Sequence, residues 1–370
     1  MAKLKVGILF GGRSAEHEVS LQSAKNIFEA IDRSKFEPVL IGIDKSGKWL
    51  FENAESFLLN SADPKKIKLN PEGAHVAIVP QSGGAVSQLE SSAQDGKNGE
   101  KFSVDVVFPI LHGPFGEDGT VQGLLKLADI PFVGASVLGS AIGMDKDVMK
   151  RLLREAGLPI GKYRVLHYYE ALPAFKDIAA ELGAPLFVKP ANMGSSVGVQ
   201  KIHNEAEYGA FTKDAFNYDT KIVLEEFIAG REIECAVLGN EQPVASIPGE
   251  VKPTHEFYSY DAKYIDENGA DLEVPAKLPA DKVNEVQELA VKTYKVLCCE
   301  GLSRVDFFLT HDGKFFVNEI NTMPGFTKIS MYPKLFAAAD ISYTCLITRL
   351  IELAIARFEK EKTLKTSYLS

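Results

Sequence analysis

The chain has 370 residues, 45% of them hydrophobic and 25% charged, which is ordinary for a soluble globular protein. This length predicts two or three domains rather than one small core. The net charge of −9, without a long basic run, argues against nucleic acid as a partner.

The number of cysteines and the length of the apolar segments indicate in which cellular compartment the protein is expected. The four cysteines include no C-x-x-C pair, and this low usage fits a reduced cytosol better than a disulfide scaffold. The apolar run at residues 6–10 is far too short for a signal-peptide core, and no apolar stretch approaches about 18 residues. We therefore expect a cytoplasmic protein with no membrane partner.

The chain begins with an α/β pattern. Residues 4–10 predict a buried strand, Gly11-Gly12 a turn, and the apolar spacing from Leu21 to Ile31 a helix. Ligands in such folds collect at the carboxyl ends of strands. Glu16, in the turn, is therefore either a first-turn acid favoured by the helix dipole or a ligand for a cationic group.

A second loop of this kind follows further along the chain. Residues 36–43 predict another strand, whereas residues 60–100 lack a clear period and are expected to be loops. Residues 104–111 predict a buried strand that ends in His112 and a glycine-rich loop, residues 113–119. We expect this loop on the same side of the sheet as the first one, although a lone histidine is more often structural than catalytic.

A change of pattern near residue 143 predicts a domain boundary. Beyond it, a short strand at residues 185–190 carries Lys189 near its end and leads into a Gly/Ser loop, residues 194–198. Flexible loops with free backbone N–H groups can fold over phosphates, but a plain β-hairpin loop has the same pattern. The nearby lysine favours phosphate contact.

Residues 221–228 predict a strand that ends in Glu225 and Glu226. These acids either accept hydrogen bonds from an adenine amine or a ribose hydroxyl, or are exposed. Residues 250–275 are rich in aromatic side chains without a regular period, which predicts a long functional loop carrying Lys263 and Tyr264.

Two β-rich runs flank Asp312-Gly313, a strong signal for a tight hairpin turn. A two-residue turn would pair position 311 with 314 and would place four polar side chains on one face of the hairpin, because side chains alternate along a strand. These side chains are Arg304, Asp306, Glu319 and Asn321. The other face is apolar, with Val305, Phe307, Leu309 and Ile320.

The two facing carboxylates of this hairpin need a positive partner. Asp306 opposite Glu319 would cost roughly 4 kcal/mol at about 4 Å in an effective dielectric of about 20. Arg304 is one candidate partner, and a hard divalent cation such as Mg²⁺ suits the oxygens of Asp306, Glu319 and Asn321 better. A solvated polar strand face is the alternative, since a one-residue slip would scatter the set.

Several segments together carry a resemblance to a known family. They are Gly11–Ser20, His112–Gly113 with Gly116–Gly119, Met144–Lys146, Val188–Pro190, Gly194–Gly198, Gly301–Asp306 and Asn318–Gly325. In these segments and their order the chain closely resembles bacterial D-alanine:D-alanine ligases of the ATP-grasp superfamily. It departs from them at Glu226, where some members carry Lys, and at Met331, where Leu is more frequent.

The resemblance implies an α/β fold in three parts. An N-terminal open parallel α/β substrate domain would span residues 1–143. An ATP-grasp fold of two α+β lobes with antiparallel sheets would follow. Its small lobe would span residues 144–228, and its large C-terminal lobe, with the metal and substrate sites, residues 229–370.

The resemblance also implies an ATP site between two β-rich lobes. The residues so implied are Lys146, Lys189, Ser195, Ser196, Glu225, Glu226, Ile228, Glu232, Lys263 and Asn318. The two lysines Lys146 and Lys189 would contact the phosphates under the Gly/Ser loop, and Lys263 the transferred phosphate. Glu225 would read the adenine amine. Main-chain groups at Glu226 and Ile228 would read the ring edge, and Glu232 the ribose.

By the same resemblance, Asp306, Glu319 and Asn321 would hold two Mg²⁺ ions, with Glu319 bridging, Mn²⁺ able to substitute and K⁺ a candidate activator. The first D-alanine carboxylate would attack the γ-phosphate to give an acyl phosphate, which the amine of the second D-alanine displaces. The products would be ADP, phosphate and D-alanyl-D-alanine for peptidoglycan precursors. No protein nucleophile is needed.

The resemblance assigns the D-alanine contacts to Glu16, His112, Arg304, Gly325, Ser330 and Met331. Glu16 would pair with the first ammonium beside His112, Arg304 and the Gly325 amide would stabilise the oxyanion, and Ser330 with the Met331 amide would receive the second carboxylate. Ser195 and Tyr264 would join Glu16 in a triad that latches the 250–275 loop over the site.

Three alternatives stay open from the sequence. A D-alanine:D-lactate ligase is the nearest, but its members typically carry Phe at the position of Tyr264. The others are a non-catalytic nucleotide-binding regulatory protein and another ATP-grasp carboxylate ligase. The family leads us to expect a homodimer.

Overall fold

The computed structural model describes residues 2–61, 63, 66–89, 101–253 and 270–368, and, of residues 101, 253 and 270, the backbone only. The strands are β1 (Leu4–Gly11), β2 (Phe36–Ile43), β3 (Trp49–Glu52), β4 (Leu58–Leu59), β5 (Lys68–Leu69), β6 (Ala74–Ile78), β7 (Ala85–Gln88), β8 (Lys101–Ser103), β9 (Val106–Ile110), β10 (Tyr163–His167), β11 (Leu186–Pro190), β12 (Gln200–Ile202), β13 (Lys221–Glu226), β14 (Gly230–Gly239), β15 (Val244–Ala245), β16 (Gly249–Pro253), β17 (Ala270–Glu273), β18 (Gly301–Thr310) and β19 (Phe315–Asn321). The helices are α1 (His17–Ala30), α2 (Thr120–Leu127), α3 (Val137–Met144), α4 (Lys146–Glu155), α5 (Phe175–Leu182), α6 (Glu205–Ala215), α7 (Ala280–Val296), α8 (Met331–Ala337) and α9 (Tyr343–Lys362).

The N-terminal sheet has seven strands in the order β8-β7-β6-β3-β2-β1-β9. β1 pairs in parallel with β2 and β9, while β3, β6, β7 and β8 extend the sheet by antiparallel pairing. The α/β fold class is therefore confirmed, and the parallel pairing among these seven strands is confined to β2, β1 and β9. The expectation that residues 60–100 form only loops is wrong, because β6 and β7 fall in that stretch; residues 90–100 lie outside the described part.

β4 and β5 form a separate two-stranded antiparallel sheet, and the rest of the chain contributes two larger antiparallel sheets, as predicted. The first has the order β10-β13-β11-β12. The second runs β17-β16-β14-β18-β19, with β15 added to β14. The division of the chain at residues 143 and 228 stays a prediction.

The largest buried cluster ties the two ends of the chain together. Apolar side chains of β1 and α1 pack with those of α8 and α9, and the rings of Phe108 and Phe326 meet edge to face at 5.7 Å. This packing holds the loops that follow β1 and β9 against the loop that follows β19. Among the described helices, none is both long and apolar enough to cross a membrane.

Candidate active site

The polar face of the β18–β19 hairpin forms as predicted, although its turn does not. Arg304 pairs with Asn321 and Asp306 with Glu319. However, Leu309 pairs with Phe315 and the Thr310 amide donates to the Lys314 carbonyl oxygen at 3.0 Å, so the loop has three residues instead of two. The register then shifts by one residue between Asp306 and Phe307, and this irregularity restores the predicted pairing.

This β-bulge also decides which side chains reach the site. Asp306 faces Glu319 and Phe307 faces Val317, so Asn318 is the extra residue of β19. Consecutive residues of a regular strand point to opposite faces. Here Asn318 accepts a hydrogen bond from Lys189 at 3.2 Å, while Glu319 lies 3.7 Å from the Lys146 ammonium. The bulge therefore turns two adjacent side chains toward two lysines, Lys189 and Lys146.

Arg304 neutralises the acids next to it. Its guanidinium makes two hydrogen bonds of 2.7 Å to the Asp306 carboxylate, and its Nε lies 2.9 Å from Glu234 Oε2. Asn321 Nδ2 donates to Asp306 at 3.0 Å. Of the two partners expected for the facing carboxylates, arginine is the one present on Asp306 here.

Hard oxygen ligands are nevertheless gathered on this face. Asp306 and Glu319 supply carboxylates and Asn321 an amide oxygen, which is the donor set that Mg²⁺ prefers. No group of three or more His, Cys, Asp and Glu in the described ranges is arranged to hold a metal alone. The three residues thus fit the ion, provided that Asp306 shares its oxygens between the ion and Arg304.

A lysine cluster, defined here as Lys146, Lys150, Lys189 and Glu225, lies beside the hairpin. Asp145 caps the start of α4 by accepting hydrogen bonds from the amides of Asp147 and Val148. On this helix Lys146 and Lys150 are four residues apart, so their side chains lie on the same face. Lys150 Nζ lies 3.3 Å from one oxygen of Glu225, and Lys189 Nζ lies 3.0 Å from the other.

The charges of the lysine cluster offset its burial. Burial alone would raise the pKa of the Glu225 carboxyl, but the Lys150 and Lys189 ammonium groups outweigh it and hold that pKa below its usual range. Burial lowers the pKa of Lys150. Burial acts likewise on Lys189, but Glu225 and Glu319 overcome it and raise the pKa of Lys189. This concentration of positive charge is suited to a polyphosphate.

The Gly/Ser loop reaches across to the first strand's turn. Ser195 and Ser196 have positive φ angles of 50° and 61°, which is a strained conformation for a residue with a side chain. The Ser195 hydroxyl donates a short hydrogen bond to Glu16. Lys146 Nζ donates to the Met193 carbonyl oxygen at 2.7 Å at the start of the loop. The structure therefore favours a ligand-binding role for this loop over a plain hairpin connection.

A carboxylate cluster, defined here as Glu16, Glu117 and His112, forms the opposite wall. All three side chains are buried. Burial, with the negative charge of Glu16, raises the pKa of Glu117 to about 8, so this carboxyl is largely protonated at neutral pH. Its Oε1 accepts from the Gly113 amide at 2.8 Å.

His112 is held as a neutral acceptor within that cluster. Its Nδ1 lies 3.0 Å from the Met323 carbonyl oxygen, which accepts a hydrogen bond, so the ring proton is assigned to Nδ1. Burial lowers the pKa of the ring. Nε2 is buried with no hydrogen-bond partner in the part of the chain that the structure describes. An ammonium group placed between Nε2 and Glu16 would satisfy both.

The loop after β19 completes the site. Gly325 and Ser330 lie close together, since a Cβ atom added at Gly325 would come within 3.1 Å of Ser330 Oγ. Ser330 Oγ accepts from the Thr327 amide at 3.0 Å and shares a 2.7 Å hydrogen bond with the Thr327 hydroxyl. Ser330 immediately precedes α8, and Met331, its first residue, is buried.

The remaining sequence-predicted residues fall into two groups. Glu226 is anchored at the end of β13, where its amide donates to the Lys162 carbonyl oxygen at 3.0 Å and its carboxylate accepts from the Lys162 amide at 2.6 Å. Ile228 lies close to Gly161, and the charge of Glu232 acts on Lys189. Lys263 and Tyr264 lie outside the described residues.

Sequence reasoning missed three residues of the site. Lys150 follows Lys146 by four positions on one helix, a spacing that places both on one face. Glu234 lies two residues after Glu232 on β14, a spacing that places both side chains on the same face, and it pairs with Asp306 across the sheet. Glu117 stood within a predicted ligand loop but had no role assigned. The sequence shows the spacing of Lys150 and Glu234 along their helix and strand, but it does not show that they contact Glu225 and Arg304.

Comparisons with known proteins agree with this geometry. Family models described as the D-ala D-ala ligase N-terminus and C-terminus match residues 5–135 and 152–352. A D-alanine–D-alanine ligase from Shouchella clausii is 56% identical over 370 residues, which cover 99% of each chain.

Solved structures give the same result. The chain is similar to the D-alanine-D-alanine ligase from Coxiella burnetii, with a TM-score of 0.84 and 36% identity over 98% of this chain and 97% of that one. It is also similar to the VanG D-Ala:D-Ser ligase from Enterococcus faecalis. That match has a TM-score of 0.83 and 37% identity over 95% of this chain and 100% of that one.

Proposed function

We infer the reaction of this chain from one premise, that it belongs to the D-alanine–D-alanine ligase family. It is an ATP-dependent ligase that joins two D-alanine molecules through a D-alanyl phosphate, giving D-alanyl-D-alanine, ADP and phosphate for peptidoglycan precursors. The observation that carries this function is the full-length match at 56% identity together with the site described above.

The nucleotide phosphates are proposed to bind at the lysine cluster. Lys146 and Lys189 supply the positive charge, and the loop with Ser195 and Ser196 covers it. Asn318 already contacts Lys189 at 3.2 Å and would orient it.

The base and ribose are assigned to the adjoining strands. Glu225 would accept from the adenine amine and Glu232 from the ribose. The ring edge would meet the main chain of Glu226 and Ile228. The Glu226 amide already bonds to Lys162, so its carbonyl oxygen is the group proposed to take part.

Two magnesium ions would be held by Asp306, Glu319 and Asn321, with Mn²⁺ as a substitute and K⁺ as a candidate activator. The ions, when bound, would offset the charge of the phosphates. The chain's own contribution is to place the oxygens of one hairpin face beside Lys146, which lies 3.7 Å from Glu319.

The first D-alanine is proposed to sit at the carboxylate cluster. Its ammonium would lie between the Glu16 carboxylate and His112 Nε2, the acceptor left unsatisfied among the described residues. This placement directs its carboxylate toward the lysine cluster, where the γ-phosphate would be. Catalysis is then positioning and charge stabilisation, because no protein nucleophile is needed.

The second D-alanine is proposed to sit against the loop after β19. Arg304 and the Gly325 amide would stabilise the oxyanion, while Ser330 and the Met331 amide would receive the carboxylate. Lys263 would contact the transferred phosphate. Tyr264 would join Ser195 and Glu16 and close the loop, excluding water from an acyl phosphate that hydrolyses readily. The protein is further proposed to be a cytoplasmic homodimer.

A phosphate-release assay with ATP and Mg²⁺ tests the function. Release is expected with D-alanine and not with L-alanine. The Arg304→Met variant should lose about a thousandfold in kcat, because the oxyanion loses its main charge. Absence of D-alanine-dependent release would remove the ligase assignment.

The identity of the second substrate has its own test. D-lactate and D-serine are offered with D-alanine, in the parent protein and in Tyr264→Phe. D-alanine should be preferred by the parent, and the variant should use D-lactate relatively more. Unchanged selectivity in the variant across pH would count against the triad of Glu16, Ser195 and Tyr264.

A further inference from the structure

Lys150 is buried more deeply than a lysine usually is. Its side chain is 2% exposed, and its ammonium contacts one oxygen of Glu225 at 3.3 Å. Lysines are almost never fully buried unless they are paired. None of the proposed contacts with substrate involves Lys150, so the presence of a buried lysine at this position needs a separate explanation.

Glu225 has one more cation than its charge requires. Lys189 holds one carboxylate oxygen at 3.0 Å and Lys150 lies by the other, so two ammonium groups share one anion. The centre of the Tyr163 ring lies 5.8 Å from the Lys150 ammonium. A simple structural ion pair would need only one lysine.

Lys189 and Lys150 differ in their position and in how accessible their side chains are to a ligand. Lys189 stands at the end of a strand, beside Asn318 of the hairpin face, and its side chain is 12% exposed. Lys150 is on α4, and its side chain is only 2% exposed. A phosphate that binds the more accessible Lys189 would draw it away from Glu225 and leave Lys150 in place.

Removing the only partner of a buried carboxylate is costly, because an uncompensated charge remains in a low-dielectric site. With Lys150 in place, the departure of Lys189 leaves Glu225 in contact with one ammonium group. Without Lys150, the same departure leaves Glu225 with no ammonium group in contact, and only the more distant charge of Lys146 remains. Binding of the nucleotide would then carry that penalty.

We propose that Lys150 is a positioning residue for nucleotide binding, which holds the Glu225 carboxylate in place and balances its charge when Lys189 moves to the phosphates. This inference rests on the proposed contacts of Lys189 with phosphate and of Glu225 with the adenine amine. Lys150 itself touches neither substrate.

The test is Lys150→Met, which leaves one lysine on one glutamate and is therefore expected to fold. The dissociation constant of ATP, measured by calorimetry without D-alanine, should rise about tenfold or more, because Glu225 now loses its last contacting ammonium group. The control is Arg151→Met, the neighbouring residue of α4, whose exposed guanidinium pairs with Asp147. It should change ATP affinity by less than about twofold.

Base selectivity separates this role from simple stabilisation. Inosine triphosphate carries an oxygen where ATP carries the amine, so a charged Glu225 discriminates against it. In Lys150→Met the nucleotide-bound carboxyl takes up a proton and can donate to that oxygen, so the preference for ATP should shrink. A lower melting temperature with unchanged ATP affinity and selectivity would overturn the proposal.

Glu225→Gln distinguishes failure of this inference from failure of its premise. If Glu225→Gln narrows the preference for ATP but Lys150→Met does not, the role of Lys150 is wrong and the adenine contact stands. If Glu225→Gln leaves the preference unchanged, the adenine contact and the inference both fall. Should Lys150→Met not fold, Lys150→Gln takes its place with the same expected and contradicting results.

Discussion

Glu225, in the lysine cluster, and Glu117, in the carboxylate cluster, are buried to nearly the same degree, at 6% and 8% exposed. The pKa of Glu225 lies below its usual range, whereas the pKa of Glu117 rises to about 8. Burial acts in the same direction on both, so the neighbours decide: two ammonium groups for Glu225 and the Glu16 carboxylate for Glu117. One wall of the site is thereby built for anions and the other for an ammonium.

The largest effect is expected from removing the anion of the lysine cluster. Glu225→Gln leaves the Lys150 and Lys189 ammonium groups facing an uncharged amide, which should cost about 4 kcal/mol of unfolding free energy. Urea denaturation measures it. Glu226→Gln is the control, since its amide oxygen can still accept from Lys162 and its loss should stay below about 1 kcal/mol. Equal losses would break the comparison.

Glu117→Gln should raise the free energy of unfolding, in contrast to Glu225→Gln, and only in a defined pH range. The native pKa of about 8 lies above the ordinary 4.5, so unfolding releases a proton between these values. The stability from this group is complete below about pH 4.5 and declines as the pH rises to about 8. The variant lacks that decline and should gain on the order of 4 kcal/mol over the parent near pH 8.5.

The neighbouring Asp118→Asn provides the control for that experiment. It removes an acid at the next position of the same loop without removing a buried carboxyl beside Glu16. Denaturation curves from pH 5 to pH 9 should show no pH-dependent gain for this variant. A gain equal to that of Glu117→Gln would mean that the net charge of the loop is responsible.

Glu52 sharpens the comparison, because among the described residues it is buried without either kind of neighbour. It is 3% exposed, its Oε1 has no hydrogen-bond partner among the described residues, and burial alone raises its pKa to about 7. Stability from Glu52 should fall as the pH rises from about 4.5 to about 7. Glu52→Gln should remove this fall and gain about 2 kcal/mol near pH 8, measured by thermal or urea unfolding.

The exposed Glu37 on β2 is the matched control for Glu52. Glu37→Gln should leave the pH dependence of unfolding unchanged, because its carboxyl stays in water in both states. If Glu52→Gln behaves like Glu37→Gln, burial without a charged neighbour is not enough to shift a carboxyl here. The contrast between Glu225 and Glu117 would then depend on charge alone.

The smallest effect on stability is expected from removing the Ser195 hydroxyl, which donates a hydrogen bond to Glu16. Ser195→Ala should cost about 1 kcal/mol, the usual contribution of one partly buried hydrogen bond. Ser46→Ala removes a serine that donates to Asp44 at 2.7 Å on the surface, where water replaces the bond, and should cost close to nothing. Urea unfolding of both variants makes the measurement.

Much of this protein could be predicted from its sequence, where the signal is local. The strands at the N-terminus, the α1 helix and the two faces of the β18–β19 hairpin follow from the spacing of apolar residues. The order of the ligand motifs was sufficient for the family. β6 and β7 were missed because they are only five and four residues long, too short for a clear alternation of apolar and polar side chains, although they pair with each other.

The tertiary structure decided the rest, because those features depend on contacts between distant residues. The hairpin register came out as predicted only because a bulge at Asn318 offsets a longer turn, and a turn signal does not specify a bulge. Likewise, a lysine on α4 and a glutamate on β13 carry no mark of each other in the sequence. Their ionisation is set by distance and burial, which exist only in the folded chain.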